Sequence, residues 1–567
     1  MTRITILDGY IDEPTCLGVP PYISPYPRYI AGSIWCVDKS IDVAYITIDQ
    51  IRSDRKKIRI IGESDIVIAV TGMIVPGKYL STHPASPREL TEILTGLSKP
   101  IKILCGPAAR FGFGLSGGRS TKEVKDVFDI IVKGDPEIVI RDFLEGEREG
   151  VDPNARRSSP SDIREFAIMG AEIVKQHPNY PNYLIAEVET YRGCTRALTG
   201  GCSFCGEPLQ GLPVYRAIED IVDEVNALYR AGLRHFRIGC QPCIFSYQAR
   251  DTGREEFPRP NIDAIERLFS GIRRKNPDIK TLHIDNANPG VIARYRKECM
   301  EIAKIIVKYH TPGDVAALGV ESADPKVIKE NNLKAYPEDV ISAIEVLNEV
   351  GAKRGRNGLP ELLPGINLLF GLKGESSKTF ELDYALLKEI LDRGLLVRRI
   401  NIRQVIPLPG TKMYEISDVL VRKHKILFKR FKRLVRETID RPLLEKIVPT
   451  GTVLRGVYTE MYEGKTTFGR QMGSYPLLVG IPGKLMLHKF IDVKVVSHGY
   501  RSITALPYPF PINSAPREAI EALPGIGGKR AIRILRGRPF SNEEELLRTL
   551  DDESVGKAIL DFGVYFG

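Results

Sequence analysis

The stretch YRGCTRALTGGCSFCGEP spans residues 191–208 and follows the apolar run YLIAEVET at 183–190. It carries Cys194, Cys202 and Cys205 in a glycine-rich loop directly after a predicted strand. Three thiolates can hold three irons of a 4Fe–4S cluster and leave the fourth iron open, whereas a structural zinc site normally takes four protein ligands. The loop therefore predicts an iron–sulfur centre. The alternatives are a zinc site that borrows another ligand and a coincidental grouping of thiols.

Outward from this loop, the chain repeats a strand-then-helix cycle between about residues 180 and 415. The predicted strands are YLIAEVET, RHFRIGC, TLHIDNA, VAALGVES, GINLLFGL and RINIRQVI. The predicted helices between them are 217–231, 263–274, 291–309, 338–350 and 377–393. This α/β pattern predicts a full or partial (β/α) barrel over residues 181–418, with its chemistry at the carboxyl ends of the strands. A doubly wound sheet is the alternative.

The cysteine loop behind a first barrel strand resembles the radical S-adenosylmethionine (SAM) superfamily. The resemblance implies a partial (β/α)6 barrel in which SAM chelates the open iron. It also implies reductive cleavage of the SAM sulfonium to a 5′-deoxyadenosyl radical. The superfamily commonly has the spacing C-x3-C-x2-C and this chain has C-x7-C-x2-C, a departure that weakens assignment to any one subfamily.

Later motifs at the strand ends extend the resemblance. RIGCQP lies where the family often has a Gly-Gly-Glu that receives the SAM amino group, here without the acidic residue. GVESADP corresponds to contacts with the ribose or carboxylate of SAM, and GINLLFGLKGES to the glycine-rich turn beside adenine. The SAM-binding candidates that the resemblance implies are Phe204, Gly239, Gln241, Glu321, Ser322, Asn367, Gly371, Arg403 and Gln404.

Other cysteines allow further interpretations. Cys240 and Cys243 form a second CxxC, which would ligate iron, act as a redox pair, carry sulfur or be incidental. Cys16, Cys36 and Cys105 precede the barrel, where methylthiotransferases carry three cysteines for a second cluster, and buried structural thiols are the alternative. A second cluster therefore remains open.

We predict a Rossmann-like α/β layer over residues 1–130 and a linker over 131–180. The runs ITILDGY, DIVIAVTG and PIKILCGP have the composition of buried parallel strands. The segment GVPPYISPYPRYIAG at 18–32 is predicted to be an ordered loop because of its prolines, in contact with substrate or simply packed. Cobalamin-dependent enzymes resemble this domain order, but the Asp-x-His-x-x-Gly signature is absent, so cobalamin also remains open.

The positive charge of the chain is concentrated near its end. The 567 residues carry a net charge of +10, and residues 421–567 hold 25 Lys and Arg against 15 Asp and Glu, which accounts for the whole excess. Clustered cations replace the counterions of nucleic-acid phosphates, so this asymmetry favours a polyanionic partner, with a solvated basic surface as the alternative. A basic linker helix is predicted over 419–445.

Two small modules are predicted after that helix. Five short β-rich runs over 446–508 predict a small barrel that resembles the TRAM (OB-like) domain of RNA-modifying enzymes. LPGIGGKRAIRIL, within 509–567, resembles a helix-hairpin-helix, in which glycine backbone and cations approach a phosphate. The nucleic-acid candidates there are Gly525, Gly527, Lys529, Arg530 and Arg533, and protein contact is the alternative role.

Together these features predict a radical SAM enzyme that modifies RNA, with tRNA the expected class, by methylthiolation, methylation or a related radical insertion. The domain order resembles tRNA methylthiotransferases and an archaeal group of radical SAM proteins ending in helix-hairpin-helix. We expect a cytoplasmic protein with no membrane association and an electron donor such as ferredoxin or flavodoxin. The alternatives are a small-molecule or protein substrate with the C-terminal modules as docking elements, and a non-catalytic nucleic-acid-binding protein with a structural metal site.

Overall fold

The computed structural model describes residues 2–10, 21–72, 83–115, 119–122, 124, 126–146 and 150–566. The N-terminal layer is a parallel sheet whose strands lie in the order Asp42–Thr47, Arg3–Asp8, Ile66–Val70, Ile101–Cys105 and Ile130–Ile131. The order 2-1-3-4-5 is that of doubly wound sheets, so the predicted Rossmann-like layer is confirmed. Its helices are Ile48–Ser53, Lys57–Glu63, Pro87–Leu94, Pro107–Phe111 and Pro136–Glu145, and the strand Phe113–Leu115 pairs antiparallel with Arg119–Lys122.

The prediction of a loop over 18–32 is wrong for the second half of that segment, where the helix Pro25–Val37 begins. Pro25 and Pro27 both lie in the first turn, where backbone N–H groups have no partner within the helix. The prolines therefore start this helix instead of preventing it. Residues 18–20 lie outside the described part of the chain.

The six predicted parallel strands of the radical SAM barrel are confirmed. They are Ile185–Glu189, His235–Gly239, Thr281–Ile284 continued by Asn286–Ala287, Asp314–Glu321, Leu362–Phe370 and Arg399–Gln404. Each strand pairs in parallel with the next along the chain, and the short strand Tyr22–Ile23 adds to the edge beside Ile185–Glu189. The N-terminal segment thus contributes backbone to the barrel sheet.

Helices cover the outside of this sheet because each presents one apolar face. They are Ile218–Arg230, Ile262–Lys275, Pro289–Arg294, Arg296–Tyr309, Pro325–Glu330, Pro337–Gly351 and Ser377–Asp392. The fully buried residues Ile221, Leu268 and Ile344 are typical of those faces. A segment of short helical turns, Pro160–Ile163, Arg164–Met169 and Gly170–Gln176, connects the N-terminal layer to the barrel.

The basic segment after the barrel is helical but interrupted. It comprises Lys412–Ile416, Val419–Lys423, Lys425–Val435, a π-helical turn Arg436–Asp440 and Arg441–Ile447. Phe431 and Val435 are buried against the barrel, while the intervening lysines and arginines face outward. None of the helices in the described ranges is long and apolar enough to cross a membrane.

The predicted small β-barrel near the C-terminus is confirmed. Its strands are Val453–Glu463, Thr466–Gln471, Leu478–Pro482, Phe490–His498 and Ser502–Pro507, closed in the order 1-2-3-5-4. The chain ends in the helices Arg517–Glu521, Gly528–Gly537, Glu543–Thr549 and Glu553–Phe562, with Phe510–Pro511 paired to Val564–Tyr565. These helices share their own apolar core.

A buried carboxylate joins the N-terminal segment to the barrel, and its loss should destabilise the protein. In Glu224→Ala, the guanidinium groups of Arg28 and Arg216, which bind that carboxylate at 2.6 Å, are left buried without their charge partner. Loss of one partner of a buried ion pair costs about 3–5 kcal/mol. Urea denaturation followed by circular dichroism measures the effect.

Glu92→Ala is the matched control, since it removes a half-exposed glutamate that pairs with Arg88 across one helical turn. We expect its unfolding curve to overlay that of the wild type. If Glu224→Ala unfolds at the same urea concentration as this control, the buried network does not contribute to stability.

Candidate active site

A cavity of about 530 Å³ lies at the carboxyl ends of the barrel strands and contains the three cysteines of the 191–208 loop. Its wall includes residues from the first five barrel strands or the loops after them, and from the N-terminal segment. In parallel barrels the loops at this end carry the chemistry. The cavity is therefore the candidate active site.

Glycines allow the cysteine loop to fold back on itself. Gly193 and Gly201 both have positive φ angles, of 86° and 64°, and a Cβ on either would collide with a neighbour, the backbone of Leu212 or the ring of Pro208. The N–H of Cys194 donates to the carbonyl of Gly211 at 3.0 Å, and that of Cys205 to the carbonyl of Cys202 at 3.1 Å. The loop backbone is thus held in place without any cofactor contact.

Two of the three thiols, those of Cys194 and Cys205, lie in buried surroundings that disfavour their free thiolate forms. Burial raises the pKa of Cys194 and raises that of Cys205 to about 12. Arg196 donates to the Cys202 sulfur at 3.0 Å and is held by Glu256 at 2.7 Å. Bound metal deprotonates coordinating thiols outright, so a metal centre supplies the charge that makes three thiolates stable here.

The donor set fits an iron–sulfur cluster. Throughout the ranges that the structure describes, no group of three or more His, Cys, Asp or Glu side chains is placed to hold one metal ion. Yet Cys194, Cys202 and Cys205 line one cavity. A cluster binds each thiolate through a different iron and so spaces its ligands more widely than a single zinc ion does.

Four of the predicted SAM-binding residues line the cavity: Phe204, Gln241, Glu321 and Asn367. The side-chain oxygen of Gln241 is buried and has no hydrogen-bond partner in the part of the chain that the structure describes. An unpaired buried acceptor is costly unless a ligand donates to it. Because Gln241 replaces the acidic residue that commonly receives the SAM amino group, its free oxygen fits an ammonium donor.

Glu321 ends the fourth barrel strand in an unusual backbone conformation. Its φ is +68°, and the strand register shifts between Gly319 and Glu321. Strained non-glycine residues of this kind cluster at functional sites. Burial raises the pKa of its carboxyl group, and the nearby cations Lys334 and Arg403 partly oppose that shift.

The remaining predicted SAM contacts do not line the cavity as the structure describes it. The hydroxyl of Ser322 donates to Asp383 at 3.0 Å. Gly371 has a φ of +92° and packs where a Cβ would meet Val405 and Val421. Arg403 and Gln404 end the sixth strand outside the cavity wall. Gly239, also absent from the wall, ends the second strand beside Glu187.

The second CxxC also reaches the cavity. Cys240 and Cys243 both line it, and neither forms a disulfide. Cys240 has a φ of +54°, and Cys243 accepts the N–H of Asn288 at 3.2 Å. Burial raises the pKa of both thiols. Both cysteines are thus part of the cavity wall, in surroundings that disfavour their thiolate forms.

The N-terminal cysteines do not form a described group. Cys36 is exposed at the end of its helix, Cys105 is buried at the end of its strand, and Cys16 lies outside the described residues. The doubly wound sheet has its switch point between the strands ending at Asp8 and Val70, where such sheets bind ligands. A second cluster and cobalamin stay predictions.

Lys334 is the clearest site residue that sequence reasoning missed. It lines the cavity, and a Cβ added to Gly319 would collide with its side chain. Burial would lower the pKa of Lys334, but the surrounding Cys202, Glu321 and the other two cluster thiols raise it above its ordinary value. It follows a short helix in an unremarkable sequence, so no local signal marks it.

Tyrosines form much of the remaining wall. Those that line the cavity are Tyr10, Tyr22, Tyr26, Tyr29 and Tyr191. Three of them come from the 18–32 segment, whose substrate contact was one of two open interpretations. Burial raises the pKa of Tyr22 and Tyr26, which keeps their hydroxyls neutral. The wall therefore offers flat aromatic surface with polar edges.

The predicted phosphate-binding hairpin precedes the helix Gly528–Gly537. Its two glycines are Gly525, with a φ of +73°, and Gly527, the N-cap of that helix. Arg530 and Arg533 both pair with Asp551 at 2.7 Å, so their charges are already compensated. Lys529 forms no ion pair among the described residues and is the free cation of this turn.

Comparisons with known proteins agree with this geometry. The sequence matches the model of the Radical SAM superfamily over residues 188–387. It is 54% identical over 511 residues to an uncharacterized protein of Methanocaldococcus jannaschii, covering 88% of this chain and 92% of that one. It is 23% identical over 219 residues to the tRNA-2-methylthio-N(6)-dimethylallyladenosine synthase of Desulfotalea psychrophila, covering 38% and 43%.

Among solved structures, the fold is similar to the radical SAM methyltransferase TsrM from Kitasatospora setae, determined with tryptophan substrate and a SAM analog. The TM-score is 0.47 at 14% sequence identity, over 82% of this chain and 79% of that one.

Loss of one thiol in the 191–208 loop should prevent cluster assembly. Anaerobic reconstitution of the wild type should give about four irons and four sulfides per chain. Cys202→Ala should lose most of both, because the remaining thiols cannot hold the cluster. Cys299→Ala, which changes a buried cysteine inside a helix, should match the wild type. Wild-type iron content in Cys202→Ala would contradict the assignment.

Removal of the charge of Lys334 should make the cluster harder to reduce. A buried cation stabilises the more negative, reduced cluster, so Lys334→Met should assemble with normal iron content but a more negative midpoint potential. Lys334→Arg keeps the charge and is the matched control. A redox titration followed by electron paramagnetic resonance gives both potentials. Equal potentials in the two variants would limit Lys334 to a packing role.

Proposed function

The chain belongs to the radical SAM superfamily, and on this basis we propose that it modifies RNA, with tRNA the expected class, by inserting a methylthio, methyl or related group. Its cofactors are a 4Fe–4S cluster and SAM. Bound together, these supply a carbon-centred radical able to take a hydrogen atom from an unactivated carbon. General acid and base groups cannot activate such a carbon, since it carries no acidic proton.

The observation that carries the proposal is the composition of one cavity wall. Three cysteines that fit a cluster share a cavity of about 530 Å³ with five tyrosines. Aromatic side chains hold unstacked bases by stacking on their faces, and enzymes that act on a base take it out of its stack. A nucleobase is therefore the planar substrate group that this wall suits best.

Different residues of the cavity wall would have different roles in the reaction. Cys194, Cys202 and Cys205 would hold the cluster, and the free oxygen of Gln241 would accept the amino group of SAM. Lys334 places a positive charge among the cluster thiols and Glu321. The tyrosines exclude water from the reacting groups and orient the base.

The C-terminal modules supply a surface for the rest of the RNA. The small barrel has the strand order of an OB fold, whose second and third strands bind oligonucleotides in other proteins. Tyr462, Met486 and Phe490 are exposed on it, and Lys484 lies 5.6 Å from the Tyr462 ring. Exposed aromatic and basic groups side by side are typical of surfaces that bind single strands. Lys529 adds a cation at the hairpin.

Two further parts of the proposal concern the RNA class and the electron donor. The printed name of the Desulfotalea psychrophila relative, a tRNA-2-methylthio-N(6)-dimethylallyladenosine synthase, supports a tRNA substrate. Cluster reduction requires an electron donor, for which we propose a ferredoxin or flavodoxin. We therefore also propose that the protein acts in the cytoplasm.

Mass spectrometry of nucleosides tests the proposal directly. RNA from cells that lack the gene should be missing one modified nucleoside, and its mass difference from the precursor identifies the inserted group. Complementation with the wild type or with Cys299→Ala should restore the nucleoside, whereas Cys202→Ala should not. An unchanged nucleoside profile in the deletion strain, in both tRNA and rRNA fractions, would reject an RNA substrate.

A further inference from the structure

A second, smaller cavity of about 170 Å³ lies beside the candidate active site, where the connecting segment meets the cysteine loop. The two cavities share Glu189, Arg192 and Gln210 in their walls. The cations that line the smaller one are Arg110, Lys133, Arg156, Arg157, Arg192 and Arg216. None of the motifs considered in the sequence accounts for this concentration of positive charge.

Half of these cations are balanced by carboxylates. Arg157 pairs with Glu137 and Glu189 at 2.5 Å, Arg192 with Glu189 at 2.8 Å and with Asp135, and Arg216 with Glu224 at 2.6 Å. The other three, Arg110, Lys133 and Arg156, form no ion pair with any residue in the described ranges. The pocket therefore carries an excess of positive charge.

The excess positive charge affects the pKa of Arg110. Partial burial lowers the pKa of Arg110, and the nearby positive charge of Arg156 lowers it further. Two like charges are kept close only where the fold holds them or where an anion separates them.

Two buried guanidinium groups in the pocket have unused donors. The Nη2 of Arg157, and the Nε and Nη2 of Arg216, are buried without a hydrogen-bond partner among the described residues. The side chains of Arg157 and Arg216 are 8% and 1% exposed. Buried charged donors without acceptors cost free energy that a bound anion would recover.

We infer that this pocket binds a phosphate group, and more specifically a backbone phosphate of the RNA whose target nucleotide enters the larger cavity. The second part rests on the proposed function. Guanidinium forks match phosphate oxygens in pairs, and several of them around one small pocket can serve all of its oxygens. The shared wall at Arg192 places this phosphate next to the nucleotide in the cavity.

The location distinguishes this site from the C-terminal modules. Those modules hold RNA away from the reacting groups, whereas a phosphate in this pocket fixes the backbone beside the target. A base must leave its stack to reach the cluster, and a fixed neighbouring phosphate gives the backbone a pivot for that movement. The pocket thus positions the target nucleotide.

The first test is the binding of inorganic phosphate to the full-length protein, measured by titration calorimetry. The double variant Arg110→Gln/Arg156→Gln removes two unpaired cations and leaves every buried ion pair intact. We expect phosphate to bind it at least tenfold more weakly than the wild type. Unfolding curves that overlay those of the wild type show that the variant is folded.

Arg59→Gln/Arg88→Gln is the matched control, because it removes the same charge from two strongly exposed arginines of the N-terminal layer. It should bind phosphate like the wild type. The pocket is rejected if the wild type binds no phosphate, or if the pocket variant and this control bind it equally.

The second test uses a tRNA transcript and compares how its affinity depends on salt. Loss of one phosphate contact reduces the slope of log affinity against log salt by about one. We expect this reduction in the pocket variant and not in the control.

An unchanged slope, with phosphate binding lost, would overturn the RNA assignment and leave a site for a phosphate from another source, such as a free nucleotide. If the wild type does not bind tRNA at all, the proposed function fails. The calorimetry still shows whether the pocket binds phosphate.

Discussion

The carboxylate of Glu224 is fully buried and accepts hydrogen bonds from three side chains that belong to two separate segments of the chain. Arg28 and Tyr29 belong to the N-terminal helix, Arg216 follows the cysteine loop, and Glu224 itself lies on the first barrel helix. A buried charge of this kind is tolerated only when its partners are all present. The network therefore fixes the tyrosine-bearing helix against the barrel and so supports the cavity wall.

The requirement that buried charges be paired also applies to the wall between the two neighbouring cavities. Arg216 also donates to the carbonyl of Glu189, whose carboxylate binds Arg157 and Arg192. Those charges lower the pKa of Glu189 to about 2 against the effect of burial, so it stays ionised in the wall that both cavities share. Glu189 thus places a fixed negative charge in the wall shared by the arginine-lined cavity and the thiol-bearing cavity. This arrangement lets an anion and an iron–sulfur centre lie side by side.

Local patterns in the sequence predict the barrel strands, the small β-barrel and the cysteine loop, because alternating burial and thiol spacing are local properties. The sequence does not predict the helix at Pro25 because proline breaks a helix in its interior, whereas here it lies in the first turn. Lys334 depends on contacts with cysteines more than a hundred residues away, and the arginine pocket on contacts between separate segments, such as Arg157 with Glu137 and Arg192 with Asp135, which no short window of sequence contains. Gln241 and Glu321 were predicted through resemblance, and Ser322 was assigned the same role although its hydroxyl binds Asp383.

Polar side chains inside the large (β/α) barrel contact the small β-barrel, so the small β-barrel is not loosely tethered to it. Tyr475, from the loop after its second strand, donates to Asp285 at 2.6 Å and places its ring 4.1 Å from the Arg399 guanidinium and 5.4 Å from that of Arg237. Without this tyrosine, Arg237, Asp285 and Arg399 would lose a buried partner. The small β-barrel is therefore fixed to the large barrel, and in the proposed function an RNA bound to it would lie at a fixed distance from the cysteines. Such a distance would select the nucleotide that reaches the cavity by its position along the RNA.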